Sequence, residues 1–196
     1  MIGRIVVLIS GAGSNMMALV RAAGAGELHA SVVAVVADRS CAGLSAAAEK
    51  GVPTEVVEPR AYADRAQWSA ALRDQVAFYR PDLVVSAGFM RILAPAFVDA
   101  FYGQLINLHP SLLPSFPGAH AVRDALAAGV KVTGTTVHLV DREVDHGPIL
   151  FQEAVRVRPG DSEASLHERI KAVEHVLVVE ACRSMLDARA AWPANA

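Results

Sequence analysis

A chain of 196 residues sits at the upper end of the roughly 100–200 typical of one domain, and 53% hydrophobic against 19% charged residues excludes disorder. Eighteen basic against twenty acidic residues leave a formal charge of −2 with no Lys/Arg run, which argues against a surface that coats nucleic acid or an anionic membrane. Two cysteines, Cys41 and Cys182, exclude a disulfide framework and a cysteine zinc site, and they fit a reducing cytoplasm.

The first element is Ile5–Ile9, a continuous apolar run that predicts a buried strand and feeds Ser10-Gly11-Ala12-Gly13-Ser14-Asn15. One early arginine and no small-residue cleavage site distinguish this start from a secretion signal. Met16–Ala25 reads as a helix closed by Gly24 and Gly26, Val32–Val36 as a second strand, and Leu44–Lys50 as a helix stopped by Gly51. Thr54–Val57 predicts a third strand, Ala66–Tyr79 a helix punctuated by Pro81, and Leu83–Ala87 a fourth strand. Apolar strands alternating with helices predict a parallel sheet covered on both faces, a Rossmann-like, doubly wound α/β unit.

The second half is mixed. A helix around Phe97–Phe101 precedes a strand at Gln104–Leu108 and a Pro-rich loop, His109–Gly118. Ala121–Ala128 is helical, Val132–Val140 alternates as a strand with two unlike faces, and Asp141–Pro148 is a charged loop. Ile149–Val157 reads as a strand, and Ser162 caps a long helix from Glu163 to about Ala188. Ala100–Val122 carries no charged residue but holds Pro110, Pro114 and Pro117, so it reads as the lining of a partly buried site and not as a spanning helix. No repeat or linker divides the chain, so 1–196 is expected to be one domain with halves 1–100 and 101–196.

The glycines between the first strand and first helix allow N–H groups to converge on an anion at a helix N-terminus. Ser14 and Asn15 are placed to cap the helix or to donate to a phosphate. Met16 stands at the third glycine position of the dinucleotide fingerprint, so a phosphate-bearing small molecule is preferred over NAD(P). Asp38 follows the second strand, as a ribose-binding acid would, and a plain tight turn with a cap is the bland alternative.

Asn107 and His109 lie two apart at the end of the fifth strand, on one side of it, at the sheet edge where open α/β folds bind ligands. An amide donor beside an imidazole suits an oxyanion, whereas a satisfied structural pair is the competing reading. Asp145, in a loop where Gly147 permits tight geometry, would favour protonated His109; Asp141 and Glu143 are alternatives for that role. His120, His138 and His146 show no tight metal-binding spacing; His138 reads as a hydrogen-bonded core residue and His146 as an exposed loop residue. Trp68 and Trp192 read as packing.

Together, Val7–Asn15, Ala87–Leu93, Ile106–Pro114, Gly134–Val140 and Asp145–Ile149 resemble the phosphoribosylglycinamide formyltransferase family of purine biosynthesis, in order and over most of the chain. The resemblance implies a formyltransferase fold whose first half holds the ribonucleotide, with 10-formyltetrahydrofolate as co-substrate in a cleft at the junction and no metal. It implies that Asn107 and His109 stabilise the oxyanion, that His109 delivers a proton, and that Asp145 raises the His109 pKa. Gly13, Ser14 and Asn15 would bind the phosphate, with Gly88, Pro110, Lys171 and Glu174 also on the ribonucleotide side. Arg65, Met90, Arg91, Ile92, Leu93, Asn107 and Asp141 would lie on the folate side. Plain core packing is the alternative for Met90, Ile92 and Leu93. The partners implied are small molecules, with no nucleic acid and no membrane, for a monomer or homodimer in the cytoplasm. Three positions depart from the family: Ala12 where Asn is common, Ser115 where some members carry Lys, and His146 where Gly or Ala is frequent.

Two related activities compete. A formyltetrahydrofolate deformylase shares the three polar residues but resembles this chain with an added N-terminal domain, for which a first strand at Ile5 leaves no room. Methionyl-tRNA formyltransferase adds a C-terminal RNA-binding domain, which this chain is not expected to have. A non-catalytic nucleotide-binding domain is the third reading, and the joint presence of Asn107, His109 and Asp145 weighs against it.

Overall fold

The computed structural model describes residues 2–191; Trp192 lies outside them. Seven strands form one sheet: β1 (Gly3–Ile9), β2 (Ala30–Ala37), β3 (Thr54–Val56), β4 (Leu83–Ser86), β5 (Leu105–His109), β6 (Val132–Leu139) and β7 (Ile149–Arg156). Their order is β3-β2-β1-β4-β5-β6-β7. The first five run parallel, and β6 and β7 are antiparallel to their neighbours, which gives the expected mostly parallel sheet with a mixed second half.

The helices are α1 (Ser14–Gly24), α2 (Ala42–Glu49), α3 (Arg65–Phe78), α4 (Pro95–Ala100), α5 (Ala121–Ala127) and α6 (Glu163–Ala191). A strand's period of two explains why the apolar runs need cover on both faces. From β1, Ile5, Val7 and Ile9 join a core with Met16 and Leu19 of α1 and Leu177 and Val178 of α6. Val6 and Leu8 enter the opposite core with Trp68, Leu72 and Val76 of α3 and Phe97 of α4. Each such side chain, fully buried, contributes about 1.5–3 kcal/mol. Trp68 is therefore packing, as expected, and its indole N–H donates to the Val57 carbonyl at 2.8 Å.

Element ends moved by one or two residues at several places. The fifth strand runs to His109 instead of stopping at Leu108, because the ladder with β6 continues to the His109–Thr136 pair. A 3-10 turn at Pro59–Ala61 is too short to leave a periodic signal. At the start of α6, Ser162 and Ser165 cap reciprocally, each backbone N–H donating to the other's hydroxyl. Among the described residues no helix is long and apolar enough to cross a membrane.

Candidate active site

Three strand ends open onto one edge of the sheet: the loop after β1, the segment after β4 and the end of β5. They are tied together, since Ser10 N–H donates to the Gly88 carbonyl at 3.1 Å and Met90 N–H to Ser10 Oγ at 2.9 Å. Gly13, with φ of 71°, turns the chain into α1 without any side-chain cap, so neither Ser14 nor Asn15 serves as the cap. The first turn of α1 is thereby left without a side-chain cap, and Ser14 stands half-buried beside it.

Asn15 points inward. Its Nδ2 donates to Glu174 Oε2 at 2.9 Å, while Thr135 Oγ1 reaches Glu174 Oε1 at 3.4 Å. Glu174 is 5% exposed, and Asn15 Oδ1 is buried without a hydrogen-bond partner. Such an orphaned acceptor calls for a donor that a ligand or water supplies. Lys171, one turn before Glu174, is turned onto Glu168 at 2.8 Å and does not join this group.

Asn107, His109 and Asp145 come together. His109 Nδ1 lies 3.4 Å from Asp145 Oδ2, and Nε2 donates to the Phe116 carbonyl at 2.8 Å. Asn107 Nδ2 is 3.5 Å from Asp145 Oδ1. Asp145 adopts φ of 53°, and its Oδ2 accepts the Gly118 N–H at 2.8 Å. The carboxylate is thus held by the Pro-rich loop as well as by the imidazole. Pro110, directly after His109, is half-buried.

A fourth member was missed. His138 sits opposite Asn107 in the β5–β6 ladder and is 2% exposed. Its Nδ1 must donate to the Leu139 carbonyl, at 2.8 Å, so a neutral ring offers Nε2 to the Asn107 amide at 3.2 Å. Burial is the largest influence on its pKa and pushes it down, against smaller opposing effects of the Leu139 carbonyl and Asp145, which favours that neutral acceptor. His138 is the hydrogen-bonded buried residue expected, but it also orients Asn107. Only the strand register could reveal this second role.

The segment after β4 forms one wall. Met90 and Ile92 are 67% and 60% exposed, so core packing does not explain them, whereas Leu93 is half-buried against the α3 side. Arg91 Nε donates to Asp38 at 2.6 Å, and Arg39 binds the same carboxylate. Burial alone would raise the Asp38 pKa, but hydrogen bonds from Arg39, Arg91 and Ser10 hold it below the usual range. Asp38 is therefore consumed by protein partners, unlike a ribose-binding acid. Arg65 is the exposed first residue of α3.

Asp141 and Glu143 do not reach His109. Asp141 Oδ1 accepts the Glu143 N–H at 2.9 Å and Oδ2 the His146 Nδ1–H at 2.8 Å. Of the three acids in this loop, Asp145 is the one at the imidazole. Among the described residues, no group of three or more His, Cys, Asp or Glu is arranged to hold a metal ion.

The sequence pattern of the formyl transferase family matches residues 3–182. The phosphoribosylglycinamide formyltransferase of Mycobacterium tuberculosis is 53% identical over 182 residues, covering 93% of this chain and 84% of that protein. The Escherichia coli phosphoribosylglycinamide formyltransferase is 43% identical over 174 residues, covering 88% and 82%. Glycinamide ribonucleotide transformylase 1 of Symbiobacterium toebii superposes with a TM-score of 0.94 at 43% identity, covering 96% of this chain and 89% of that one. With the same fold, and with a family match that runs over residues 3–182, the chain belongs to the formyl transferase family.

Proposed function

We propose that the chain transfers the formyl group of 10-formyltetrahydrofolate to the amine of 5'-phosphoribosylglycinamide, giving formylglycinamide ribonucleotide and tetrahydrofolate. The observation that carries this reading is the meeting of Asn107, His109 and Asp145 at the strand edge. Relatives named phosphoribosylglycinamide formyltransferase, at 53% and 43% identity, support the acceptor.

The amine attacks the formyl carbon, the carbonyl oxygen becomes an oxyanion, the attacking nitrogen gives up its surplus proton to solvent, and the carbon–N10 bond then breaks. Asn107, its amide oriented by His138, donates to that oxygen; losing one such donor typically costs about 10²–10³ in rate. His109 faces Asp145 through Nδ1, leaving Nε2–H as the end that exchanges the Phe116 carbonyl for substrate. From there His109 delivers the proton to the departing nitrogen, and Asp145 balances the charge on the ring. Met90, Ile92 and Leu93 supply an apolar wall for the pterin, with Arg65, Arg91 and the 141–145 loop on the same folate side. Gly88 and Pro110 border the ribonucleotide side. A cytoplasmic setting fits the two free cysteines.

The ribonucleotide phosphate fits the N-terminus of α1 at Gly13–Asn15, and Glu174, already bonded to Asn15, suits a ribose hydroxyl. Lys171 would reach the phosphate by leaving Glu168. Ser14→Ala is expected to raise KM for the ribonucleotide about tenfold, the scale of one hydrogen bond to a charged group. KM for the folate should stay unchanged; steady-state kinetics with each substrate varied would refute the assignment by showing the reverse ordering.

The reaction itself is tested by following folate product with and without glycinamide ribonucleotide while assaying formate. Turnover only with the ribonucleotide, and no formate, is expected. Formate release without acceptor would establish the hydrolase instead.

A further inference from the structure

His146 takes no part in the chemistry above, yet it stands next to Asp145 in the chain. Its ring is 64% exposed, but Nδ1 lies 2.8 Å from Asp141 Oδ2. The other Asp141 oxygen accepts the Glu143 N–H. One carboxylate thus holds Glu143 and His146 together, with Asp145 between them in the left-handed region at φ of 53°. Non-glycine residues persist in that region only where surrounding contacts hold them. The outer side is held as well: Arg142 spans to Asp99 of α4 with two hydrogen bonds of 2.9 and 2.8 Å.

We propose that His146 is a positioning residue: its hydrogen bond to Asp141 closes the loop that carries Asp145 and fixes that carboxylate against His109 and Asn107. The inference rests on the formyl transfer reading and adds to it a residue that holds the loop. The charged groups facing the ring are Asp141, Arg142 and Glu143 of its own loop, and Asp99 of α4; Tyr102, just beyond α4, lines the same cavity of about 290 Å³. Arg142 is engaged by Asp99, leaving Asp141 and Glu143 to act on the imidazole. The Asp141 hydrogen bond, then the Glu143 and Asp141 charges, keep His146 protonated above its ordinary 6.5.

A raised folded pKa means that the charged clip is at full strength below the ordinary value and weakens as pH rises through the raised one. The neutral ring still donates through Nδ1–H, so the effect is graded.

The experiment compares wild type, His146→Ala and His146→Gln across pH 5.5–9, varying each substrate. Gln keeps an N–H donor but has no titrating charge. His146→Ala is expected to lower kcat by about tenfold, short of the roughly 10²-fold that a full ångström of misplacement costs. The ribonucleotide KM should hold. His146→Gln should recover most of the loss, and the advantage of wild type over it should be greatest at acid pH and fade on the alkaline side. An NMR titration of the His146 ring in the wild-type protein should place its midpoint above 6.5 without reference to turnover. Wild-type kcat in His146→Ala at every pH would overturn the proposal, as would a pH-independent loss with both KM values raised together. Wild-type protein inactive with both substrates would overturn the formyl transfer reading, and this inference with it.

Discussion

His109→Ala and Asp145→Ala are each expected to lower kcat by about 10²–10⁴, the scale of one positioned acid–base group. The double variant should lose little more than the worse of the two. The reason is geometric: Asp145 Oδ2 is 3.4 Å from His109 Nδ1, so the carboxylate acts on the reaction through the ring. Residues that work as one unit give losses far from additive. Asp145 has further contacts, accepting the Gly118 N–H and lying beside the Asn107 amide, and these set a floor on what remains of its effect once His109 is gone. Four kcat measurements close the cycle. A double loss equal to the product of the singles would separate the two residues and sink the pairing.

Gly147→Ala should be nearly as damaging, for a reason of space. A Cβ there would fall 1.9 Å from the Leu139 carbonyl oxygen and 3.3 Å from the Asp141 nitrogen, both backbone atoms that cannot swing aside. The chain must shift, and the residue two positions before is Asp145. Overpacking of this kind costs roughly 1–3 kcal/mol of stability, while displacement of the carboxylate by about an ångström costs about 10²-fold in kcat. Thermal unfolding and kcat should therefore fall together, with activity lost even where the protein remains folded. Gly24→Ala in α1 is the control, because nothing lies within 4 Å of the added carbon. A fully active Gly147→Ala protein would show that the loop tolerates rearrangement.

The alternation of apolar runs with helices made the parallel half legible, because strands buried on both faces carry an unbroken Val/Ile/Leu signature. The same logic placed Asn107 and His109 on one side of β5. What sequence could not supply was the register between β5 and β6, and His138 becomes visible as a neighbour of Asn107 only through it. Loop closure was equally hidden: Asp141, Glu143 and Asp145 are interchangeable acids on paper, and backbone geometry decides which one meets the imidazole. Asp38 was misleading because an acid after a second strand looks the same whether a ribose or two arginines satisfy it. Met90 and Ile92 have core composition but stand in the open, which only three-dimensional exposure reveals.

The bond between Asn15 and Glu174 joins residues 159 positions apart. During synthesis, the loop at the start of α1 leaves the ribosome long before α6 exists to complete it. Nearly all of this chain must be translated before Asn15 can meet Glu174. The nascent sheet, with one face still lacking α6, would present bare Val and Ile to chaperones.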